Sequence, residues 1–356
     1  MSDRAKSFGL KNGPGLSRAL EQPMRYFCTY FDQRYLSQGL AMSESLNRHC
    51  QNFKLWVLCL DAEVYRRLRE LEIPRMELIT LEELERDDPN LAEAKKNRSL
   101  LEYYFTCTPS LPLFVLENNR EVDLITYLDA DLFFFSSPDA LFEEIADHSV
   151  AIIPHRFARS DGKAERYGTF NVGWVSFRRD NDGLACLQRW RAQCLSWCAD
   201  QSEGERFADQ KYLDDWPIRF RNVAILRHKG ANLAPWNLSN YDISLRGKDL
   251  YVDNEPLVFY HFHGLNQLGN YLYDTRFYDY KVKATSPIIC EIYRPYLRKL
   301  TKLAATSKVA FLEGRALARK REHTRERPLS FVTSPFRTIK RILRRDYLVV
   351  IRGRVL

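Results

Sequence analysis

Residues 124–134 read LITYLDADLFF, in which Asp129 and Asp131 separate two apolar runs. In an extended chain, side chains two residues apart point to the same side, so the two carboxylates would lie close together. Burying two unpaired negative charges is very unfavourable. A divalent cation removes that penalty, and carboxylate oxygens suit Mg²⁺ or Mn²⁺. The alternative is a pair of solvated aspartates in a turn. The flanking apolar runs and the lack of a nearby glycine favour a metal site.

The residues around this stretch alternate between apolar runs and amphipathic patterns. The pattern predicts strands at 24–29, 54–60, 77–80, 124–128, 150–154, 170–177, 218–226 and 257–262. It predicts helices at 35–50, 63–72, 81–87, 97–106 (stopped by Pro109), 183–198 and 208–215. Strands that are apolar on both sides indicate a sheet covered by helices on both faces, so the predicted class is α/β. Ligands of such sheets bind beyond the carboxyl ends of the strands, which directs attention to 29–32, Asp61 and 129–131.

Composition excludes several classes of protein. The chain has 356 residues, 45% of them hydrophobic, which excludes disorder along its whole length. No apolar run reaches the roughly 18–20 residues that span a bilayer. Residues 1–23 have no periodicity and no apolar segment typical of a secretory signal, so they are interpreted as a loose arm. We expect a cytoplasmic protein, with peripheral attachment to the inner face of a membrane as a further hypothesis.

The positions of the cysteines favour a reducing compartment. None of the eight belongs to a CxxC pair, and several stand inside apolar runs. Buried free thiols are the favoured interpretation, since the spacing gives no support to a zinc knuckle.

Positive charge is concentrated at the end of the chain. Residues 315–356 contain 13 Lys or Arg and 3 Asp or Glu, whereas the net charge of the whole chain is +8. Within this tail, residues 335–345 (PFRTIKRILRR) place Phe336, Ile339 and Leu343 on one helical face among basic residues. Such a helix suits an anionic membrane surface. The alternative is a solvated basic helix packed on the body of the protein.

Two further segments carry candidate ligands. His261 ends the apolar run LVFYH and precedes HG, so it is a candidate third metal ligand, unless ordinary hydrogen bonds at a strand end satisfy it. Trp236, between Pro235 and Asn237, is a candidate wall for a sugar ring, with core packing as the alternative.

Taken together, the motifs resemble GT-A-fold nucleotide-sugar glycosyltransferases of the nucleotide-diphospho-sugar transferase superfamily, specifically glycosyltransferase family 8. The matching segments are TYFDQRYLSQGLAMSESL, YLDADLFFFSSP, FNVGWVSF, ADQKYL and HFHG, in the order of the family and between about residues 24 and 265. The resemblance implies a Rossmann-like mixed sheet flanked by helices. We assign residues 24–283 to the catalytic domain and 284–356 to a helical, basic extension.

The resemblance also implies roles for individual residues. Asp129, Asp131 and His261 would hold Mn²⁺ or Mg²⁺, with Asp129 also near the nucleotide sugar. The nucleotide sugar would be bound by Thr29, Tyr30, Asp32, Arg98 and Gly264. The donor sugar and reaction centre would be lined by Asn171, Asp209 and Gln210. Without the resemblance, each of these residues has an ordinary structural interpretation. Asp209 could be an acid stabilised by a helix N-terminus, Asn171 could be a turn or edge residue, and Arg98 could be a solvated helix residue.

The sequence departs from the family at one place. The family often has Lys-Pro-Trp after the HFxG segment to neutralise the diphosphate, whereas this chain reads GLNQLGNY, without lysine. Arg98, Lys95 or an arginine of the tail would then stabilise the leaving group.

The resemblance implies transfer of a hexose from a nucleotide-diphosphate sugar, most simply a UDP-sugar, to a saccharide or lipid-linked saccharide, as in polysaccharide biosynthesis. It also implies retention of configuration; the alternative, an inverting enzyme, would need a carboxylate base near the acceptor. One alternative is a sugar-nucleotide pyrophosphorylase, but residues 29–39 lack the Gly-rich phosphate loop of those enzymes. Another is a non-enzymatic protein that binds nucleic acid or another anion through the basic tail, which leaves the DxD and HFHG segments unexplained. We expect no nucleic-acid partner.

Overall fold

The computed structural model describes residues 23–158, 164–269, 271–306, 335–351 and 354–355. Its centre is a seven-stranded sheet in the order β3 (Met76–Thr80), β2 (Phe53–Cys59), β1 (Arg25–Phe31), β4 (Leu124–Leu128), β7 (Phe170–Arg178), β6 (Val150–Pro154) and β8 (Val223–Ile225). The strands β3, β2, β1 and β4 are parallel, and β7 is antiparallel to both of its neighbours. The predicted α/β class with a mixed sheet is therefore confirmed.

Nine short strands lie outside this sheet. They are β5 (Leu132–Phe134), β9 (Ile243–Arg246), β10 (Asp249–Val252), β11 (Glu255–Pro256), β12 (Phe259–His261), β13 (Asn266–Gln267), β14 (Leu272–Asp274), β15 (Tyr347–Ile351) and β16 (Arg354–Val355), counted within the described ranges.

The helices are α1 (Leu36–His49), α2 (Ala62–Leu71), α3 (Leu81–Asp87), α4 (Pro89–Ala94), α5 (Leu100–Asn118), α6 (Asp139–Ile145), α7 (Ala164–Tyr167), α8 (Asn181–Ser196), α9 (Trp216–Arg219), α10 (Phe277–Tyr280), α11 (Arg294–Thr306) and α12 (Pro335–Leu343). Short 3₁₀ turns occupy Lys95–Asn97, Lys211–Asp215 and Leu238–Asn240, and a π-helical turn, Ile288–Tyr293, precedes α11.

Helices cover both faces of the sheet. On one face, α5 and α8 form a hydrophobic cluster with the strands, and on the other face α1, α2 and α6 do so. A third cluster joins β12, the π-helical turn, α11 and β15. The side chains of Ser99 and Glu102 cap the start of α5 reciprocally, which fixes where this long helix begins.

One predicted helix boundary is wrong. The helix that we expected to stop at Pro109 is α5, which continues to Asn118 with Pro109 and Pro112 inside it. Each proline in a helix interior costs about 3 kcal/mol, so the two together cost roughly 6 kcal/mol. Leu111, Leu113, Val115 and Leu116 of the same helix are buried, and each contributes roughly 1.5–3 kcal/mol, or roughly 6–12 kcal/mol together. Tertiary packing therefore outweighs the local preference.

Two other predicted elements are shorter than expected. The strand predicted at 218–226 is reduced to β8, and α9 precedes it. The helix predicted at 208–215 is the 3₁₀ turn Lys211–Asp215, with Asp209 outside it.

The C-terminal part of the chain adds strands as well as helices. The predicted basic helix exists as α12, but β15 follows it and pairs with β14, burying Leu348 and Val350 in the third cluster. The sequence did not predict this strand. Residues 1–22 of the predicted arm and 307–334 of the extension lie outside the described residues.

Within the described ranges, no helix has both the length and the apolar character needed to span a bilayer. All eight cysteines are free thiols, and seven of them are buried.

Candidate active site

Asp129 and Asp131 lie in the turn between β4 and β5, at the carboxyl edge of the central sheet. β5 pairs with β12 in an antiparallel register that places His261 opposite Leu132. The backbone N–H of Phe262 also donates to the carbonyl of Asp131, over 3.0 Å. This pairing brings a histidine that is distant in sequence next to both carboxylates.

The three side chains form a cluster that fits a divalent cation. His261 Nε2 lies 3.1 Å from Asp131 Oδ1 and 3.6 Å from Asp129 Oδ2. One ligand atom of each residue lies within 4.8 Å of the others. The second ring nitrogen, Nδ1, is 3.3 Å from Oδ1 of Asn232. A hydrogen bond from Nδ1 to that oxygen leaves Nε2 available as a ligand, as in most metal-binding histidines.

The three ionisable groups of this cluster have shifted pKa values in the metal-free protein. Burial raises the pKa of Asp129 to about 6. Burial acts in the same direction on Asp131, but the adjacent His261 outweighs it, so the pKa of Asp131 lies below its ordinary value. Burial acts to lower the pKa of His261, but the two carboxylates outweigh it and raise the pKa. A divalent cation favours two ionised carboxylates and a neutral imidazole, so metal binding would release protons.

A chain of side chains connects this cluster to Asp209. The Tyr127 hydroxyl donates to Asp129 Oδ1 over 2.9 Å, and the rings of Tyr127 and Tyr30 pack with centroids 5.6 Å apart. The Tyr30 hydroxyl is 3.0 Å from Oγ1 of Thr108, which hydrogen-bonds the Asp209 carboxyl. Asp209 is only 5% exposed, and burial raises its pKa to about 7. A carboxyl group with a pKa near neutral is thus linked to the cluster through Tyr30 and Tyr127.

Asn171 and Gln210 form a second polar pair beside the histidine. Asn171 Nδ2 donates to Gln210 Oε1 over 3.0 Å. Asn171 Oδ1 accepts from the backbone N–H of Gly173 over 3.1 Å, and Gly173 in turn lies against the His261 ring. The structure therefore places the residues predicted to line the reaction centre around the predicted metal ligands.

The chain has relatives among bacterial proteins. It is 31% identical over 280 residues to YfnD, an uncharacterized protein of Bacillus subtilis strain 168, an alignment that covers 78% of this chain and 89% of YfnD. It belongs to the family of YfnD. YfnF, an uncharacterized protein of the same strain, is 32% identical over 246 residues, covering 67% of this chain and 80% of YfnF. No family model matches the chain.

Solved structures similar to this member of the YfnD family are glycosyltransferases. The galactosyltransferase LgtC, in complex with donor and acceptor sugar analogs, has 16% identity and a TM-score of 0.43, over 67% of this chain and 87% of LgtC. The apo form of GlyE from Streptococcus pneumoniae TIGR4 has 18% identity and a TM-score of 0.45, over 80% of this chain and 64% of GlyE. Mouse xyloside xylosyltransferase 1 has 14% identity and a TM-score of 0.43, over 68% of this chain and 98% of that chain.

The residues predicted to bind the nucleotide lie at the carboxyl end of β1, but not all of them are available. The Thr29 side chain is fully buried, and its hydroxyl has no hydrogen-bond partner among the described residues. Asp32 accepts from the backbone N–H of Arg34 over 3.0 Å and from its Nε over 2.6 Å. The Thr29 hydroxyl therefore lies out of reach of a ligand in this structure, and the Asp32 carboxylate is already paired with Arg34.

The two basic residues predicted near the diphosphate have other partners. The Arg98 guanidinium donates to the carbonyls of Cys194 and Leu195, over 3.2 and 3.0 Å, at the end of α8. It satisfies carbonyls that have no partner within the helix. Lys95 pairs with Glu85 over 2.7 Å.

The HFHG segment lies instead beside Arg276, which sequence reasoning missed. Gly264 has φ of 69°, and a Cβ added to it would lie 3.2 Å from Cγ of Arg276. Arg276 also has a left-handed backbone and pairs with Asp279 over 2.7 Å. Since Arg276 is distant from the motifs in sequence, no local pattern indicated it.

His155 and Tyr296 are two further residues at the site that the sequence analysis missed. His155 directly follows β6, and its Nε2 is 3.4 Å from Nδ2 of Asn171. Burial lowers the pKa of His155 to about 3, so its ring is neutral. Because ligands bind beyond the carboxyl ends of strands, the residue that follows the predicted strand 150–154 could have been included among the candidates. Tyr296 comes from α11, stacks on Phe262 with centroids 3.7 Å apart and has a buried hydroxyl without a partner among the described residues.

Gly173 in β7 leaves the space that Asn171 and His261 occupy. A Cβ at this position would lie 2.6 Å from Asn171 Oδ1 and 2.9 Å from His261 Nδ1. We expect Gly173→Ala to displace the imidazole and weaken Mn²⁺ binding roughly tenfold or more, as changes around metal ligands do. Electron paramagnetic resonance of free Mn²⁺ measures this. Gly269→Ala, where a Cβ meets open space, is the matched control. Equal Mn²⁺ affinities of the two variants would contradict this role of Gly173.

Proposed function

We propose that the protein is a metal-dependent glycosyltransferase that moves a hexose from a UDP-sugar to a saccharide or lipid-linked saccharide, with retention of configuration. The observation that carries the proposal is the cluster of Asp129, Asp131 and His261. It lies at the edge of the sheet where α/β proteins bind nucleotide ligands. The sequence resemblance to GT-A enzymes supports the class of donor.

Asp129, Asp131 and His261 are the residues that would hold the cation. Bound there, Mn²⁺ or Mg²⁺ neutralises charge on the donor diphosphate as it leaves. Mg²⁺ prefers oxygen ligands and keeps several waters, whereas Mn²⁺ tolerates an imidazole beside carboxylates. We therefore favour Mn²⁺.

We assign a second positive charge on the leaving diphosphate to Arg276. Its side chain lies against Gly264, three residues beyond His261, whereas Arg98 and Lys95 are engaged elsewhere. A guanidinium group can bind phosphate oxygens through two hydrogen bonds. The partly exposed pair with Asp279 contributes at most about 1 kcal/mol, so a diphosphate can compete for Arg276.

Asn171, Gln210 and Asp209 would surround the donor sugar. The Asn171–Gln210 hydrogen bond fixes the orientation of both amide groups. Gln210 Nε2 donates one N–H to the carbonyl of Tyr167, and its second N–H can bind a sugar hydroxyl. An ionised Asp209 stabilises the positive charge that develops at the anomeric carbon. With retention, the proton of the acceptor hydroxyl passes to the departing phosphate oxygen, and no separate protein base is required.

A panel of nucleotide sugars tests this proposal. The protein is incubated with each donor and Mn²⁺, without acceptor, and released nucleotide diphosphate is measured. Slow hydrolysis of one donor, abolished by EDTA and restored by Mn²⁺, is the expected result. Absence of release from every donor, together with no Mn²⁺ binding, would remove the proposal.

We also propose that α12 attaches the enzyme to an anionic membrane surface, where a lipid-linked acceptor would be found. Ile339 and Leu343, one helical turn apart, are 55% and 79% exposed. Lys340 and Arg344 are exposed next to them, while Arg341 contacts Tyr347 on the side of the body. An exposed apolar pair bordered by cations suits the surface of an anionic bilayer.

Substitutions in α12 test the attachment without removing β15. We expect Ile339→Gln/Leu343→Gln to lower partitioning onto vesicles containing phosphatidylserine at least about tenfold, because the variant lacks two exposed aliphatic side chains that would leave water for the bilayer surface. Co-sedimentation measures the bound fraction. Ile218→Gln, at another exposed isoleucine, is the matched control. Equal partitioning of variant and wild type would exclude α12 as the attachment.

A further inference from the structure

A cavity of about 380 Å³ lies beside the segment that follows Trp236. One wall is formed by 238–243 and the other by 281–288. Its volume falls in the range of small-molecule sites, about 300–1,000 Å³. Its polar lining consists of Ser239, Tyr241, Asp242, Lys281, Lys283 and Thr285.

Lys281 and Lys283 make one wall of this cavity positive. Both are exposed, whereas Val282 between them is buried in the third cluster. Among the described residues, neither lysine pairs with a carboxylate. Lys281 has a left-handed backbone with φ of 54°, which costs on the order of 1 kcal/mol for a residue with a Cβ. The fold therefore holds two unneutralised ammonium groups at the same opening.

The rest of the lining suits a saccharide. Tyr241 offers an aromatic ring, and the Arg156 guanidinium lies 5.9 Å from its centroid. Asp242 can accept hydrogen bonds from neighbouring sugar hydroxyls, and Ser239 can donate and accept. A neutral sugar would leave both exposed lysines solvated by water, whereas an anionic group on the sugar would pair with them. The composition of the cavity thus indicates a sugar that carries a negative charge.

The cavity is connected to the metal cluster through a single loop. The backbone N–H of His261 donates to the carbonyl of Leu233 over 2.8 Å. The Trp236 ring lies 5.1 Å from that of His261 and 5.3 Å from that of His263, between centroids. Ser239 follows Trp236 by three residues, which span at most about 10 Å. The cavity and the ring that contacts His261 and His263 therefore belong to the same short loop, which places the cavity on a path that a saccharide chain could follow from the reaction centre.

We propose that this cavity is the acceptor subsite and that it selects a saccharide unit bearing a phosphate or carboxylate group. The inference rests on the proposed transferase function, because it assigns the acceptor of that reaction. Lys281 and Lys283 bind the anionic group, and Tyr241 and Asp242 bind the ring.

Direct binding tests the proposal without turnover. Isotope-labelled full-length protein, free of metal and donor, is titrated with glucose, glucose 6-phosphate, glucuronate and inorganic phosphate, and NMR shifts are followed. We expect one or both anionic sugars to bind at least about tenfold more tightly than glucose, since charged hydrogen bonds are the stronger ones. Binding of glucose 6-phosphate would indicate a phosphate group on the acceptor, and binding of glucuronate would indicate a carboxylate group. Lys281→Gln/Lys283→Gln should abolish the preference, and Lys281→Arg/Lys283→Arg should retain it.

Three results would overturn the proposal: equal affinity for glucose and both anionic sugars, a preference that survives in the glutamine variant, or inorganic phosphate binding as tightly as glucose 6-phosphate. Lys96→Gln/Lys248→Gln, at two exposed lysines away from the cavity, controls for lost surface charge. Donor hydrolysis is measured on wild-type protein from the same preparation. If donor hydrolysis is absent, the transferase function is contradicted. The titration tests only the ligand preference of the cavity.

Discussion

Asp131→Asn is expected to bind Mn²⁺ at least about 100-fold more weakly than the wild type and to lose donor hydrolysis to a similar degree. Asp131 Oδ1 is 3.1 Å from the second ligand atom, His261 Nε2. The substitution keeps the shape of the side chain but removes one of the two negative charges that attract the cation. A catalytic cation contributes several kcal/mol of transition-state stabilisation, which corresponds to a loss of about 100-fold or more.

Two readouts separate this effect from misfolding. Mn²⁺ affinity is measured by electron paramagnetic resonance, and nucleotide release is measured at saturating Mn²⁺. Asp249→Asn, at an exposed aspartate in β10, should match the wild type in both. If Asp131→Asn bound Mn²⁺ normally, Asp129 and His261 would not be acting with it as a metal site.

The cluster of Asp129, Asp131 and His261, the candidate metal site, was largely predictable from local patterns. Asp129 and Asp131 follow an apolar run whose partner strands are visible in the sequence, and the carboxyl edge of a sheet is a general ligand site. His261 also ends an apolar run, but its pairing opposite Leu132 depends on the tertiary fold and could not be predicted from the sequence. Resemblance to a family, rather than periodicity, linked these segments before their pairing was seen.

Features that depend on long-range packing were not predictable. The helix α5 passes through Pro109 because its buried face outweighs the local penalty. Tyr296 and Arg276 reach the site from α11 and from the turn after β14, so no pattern near the DxD stretch could indicate them. The same reason applies to β15, whose partner β14 lies far earlier in the chain.

Asp209→Asn is expected to lower the rate of donor hydrolysis by roughly 100-fold or more, the size of effect seen when one preorganised charge is removed from a reaction centre. Asp209 is buried, and its carboxyl bonds Thr108 rather than capping the 3₁₀ turn that follows. Because the ionised form stabilises positive charge, the wild-type rate should rise with pH through about 7. The residual rate of the variant should not show this rise.

The same pKa shift predicts an opposite trend in stability. The carboxyl pKa is raised from 3.8 to about 7 in the folded protein, so the folded state holds the proton more tightly than the unfolded state. The contribution to the free energy of unfolding therefore declines as the pH rises from about 4 to about 7, and is constant above that. Between pH 5 and 8 the decline is on the order of 2 kcal/mol. Asp209→Asn lacks a titrating group there and should gain stability relative to the wild type at pH 8.

Two measurements follow these trends. Urea unfolding at pH 5 and pH 8 is done on metal-free and on Mn²⁺-loaded protein, and the pH–rate profile is recorded on Mn²⁺-loaded protein. A purely structural aspartate would change unfolding but leave the shape of the rate profile unaltered. A catalytic aspartate whose ionisation is needed predicts a variant that is more stable at pH 8 and much slower at the same pH. Burial of the ionised carboxylate lowers the stability of the folded protein. A catalytic role would explain why an aspartate is nevertheless present at this position. A variant that is both less stable at pH 8 and unchanged in its rate profile would leave Asp209 as a packing residue.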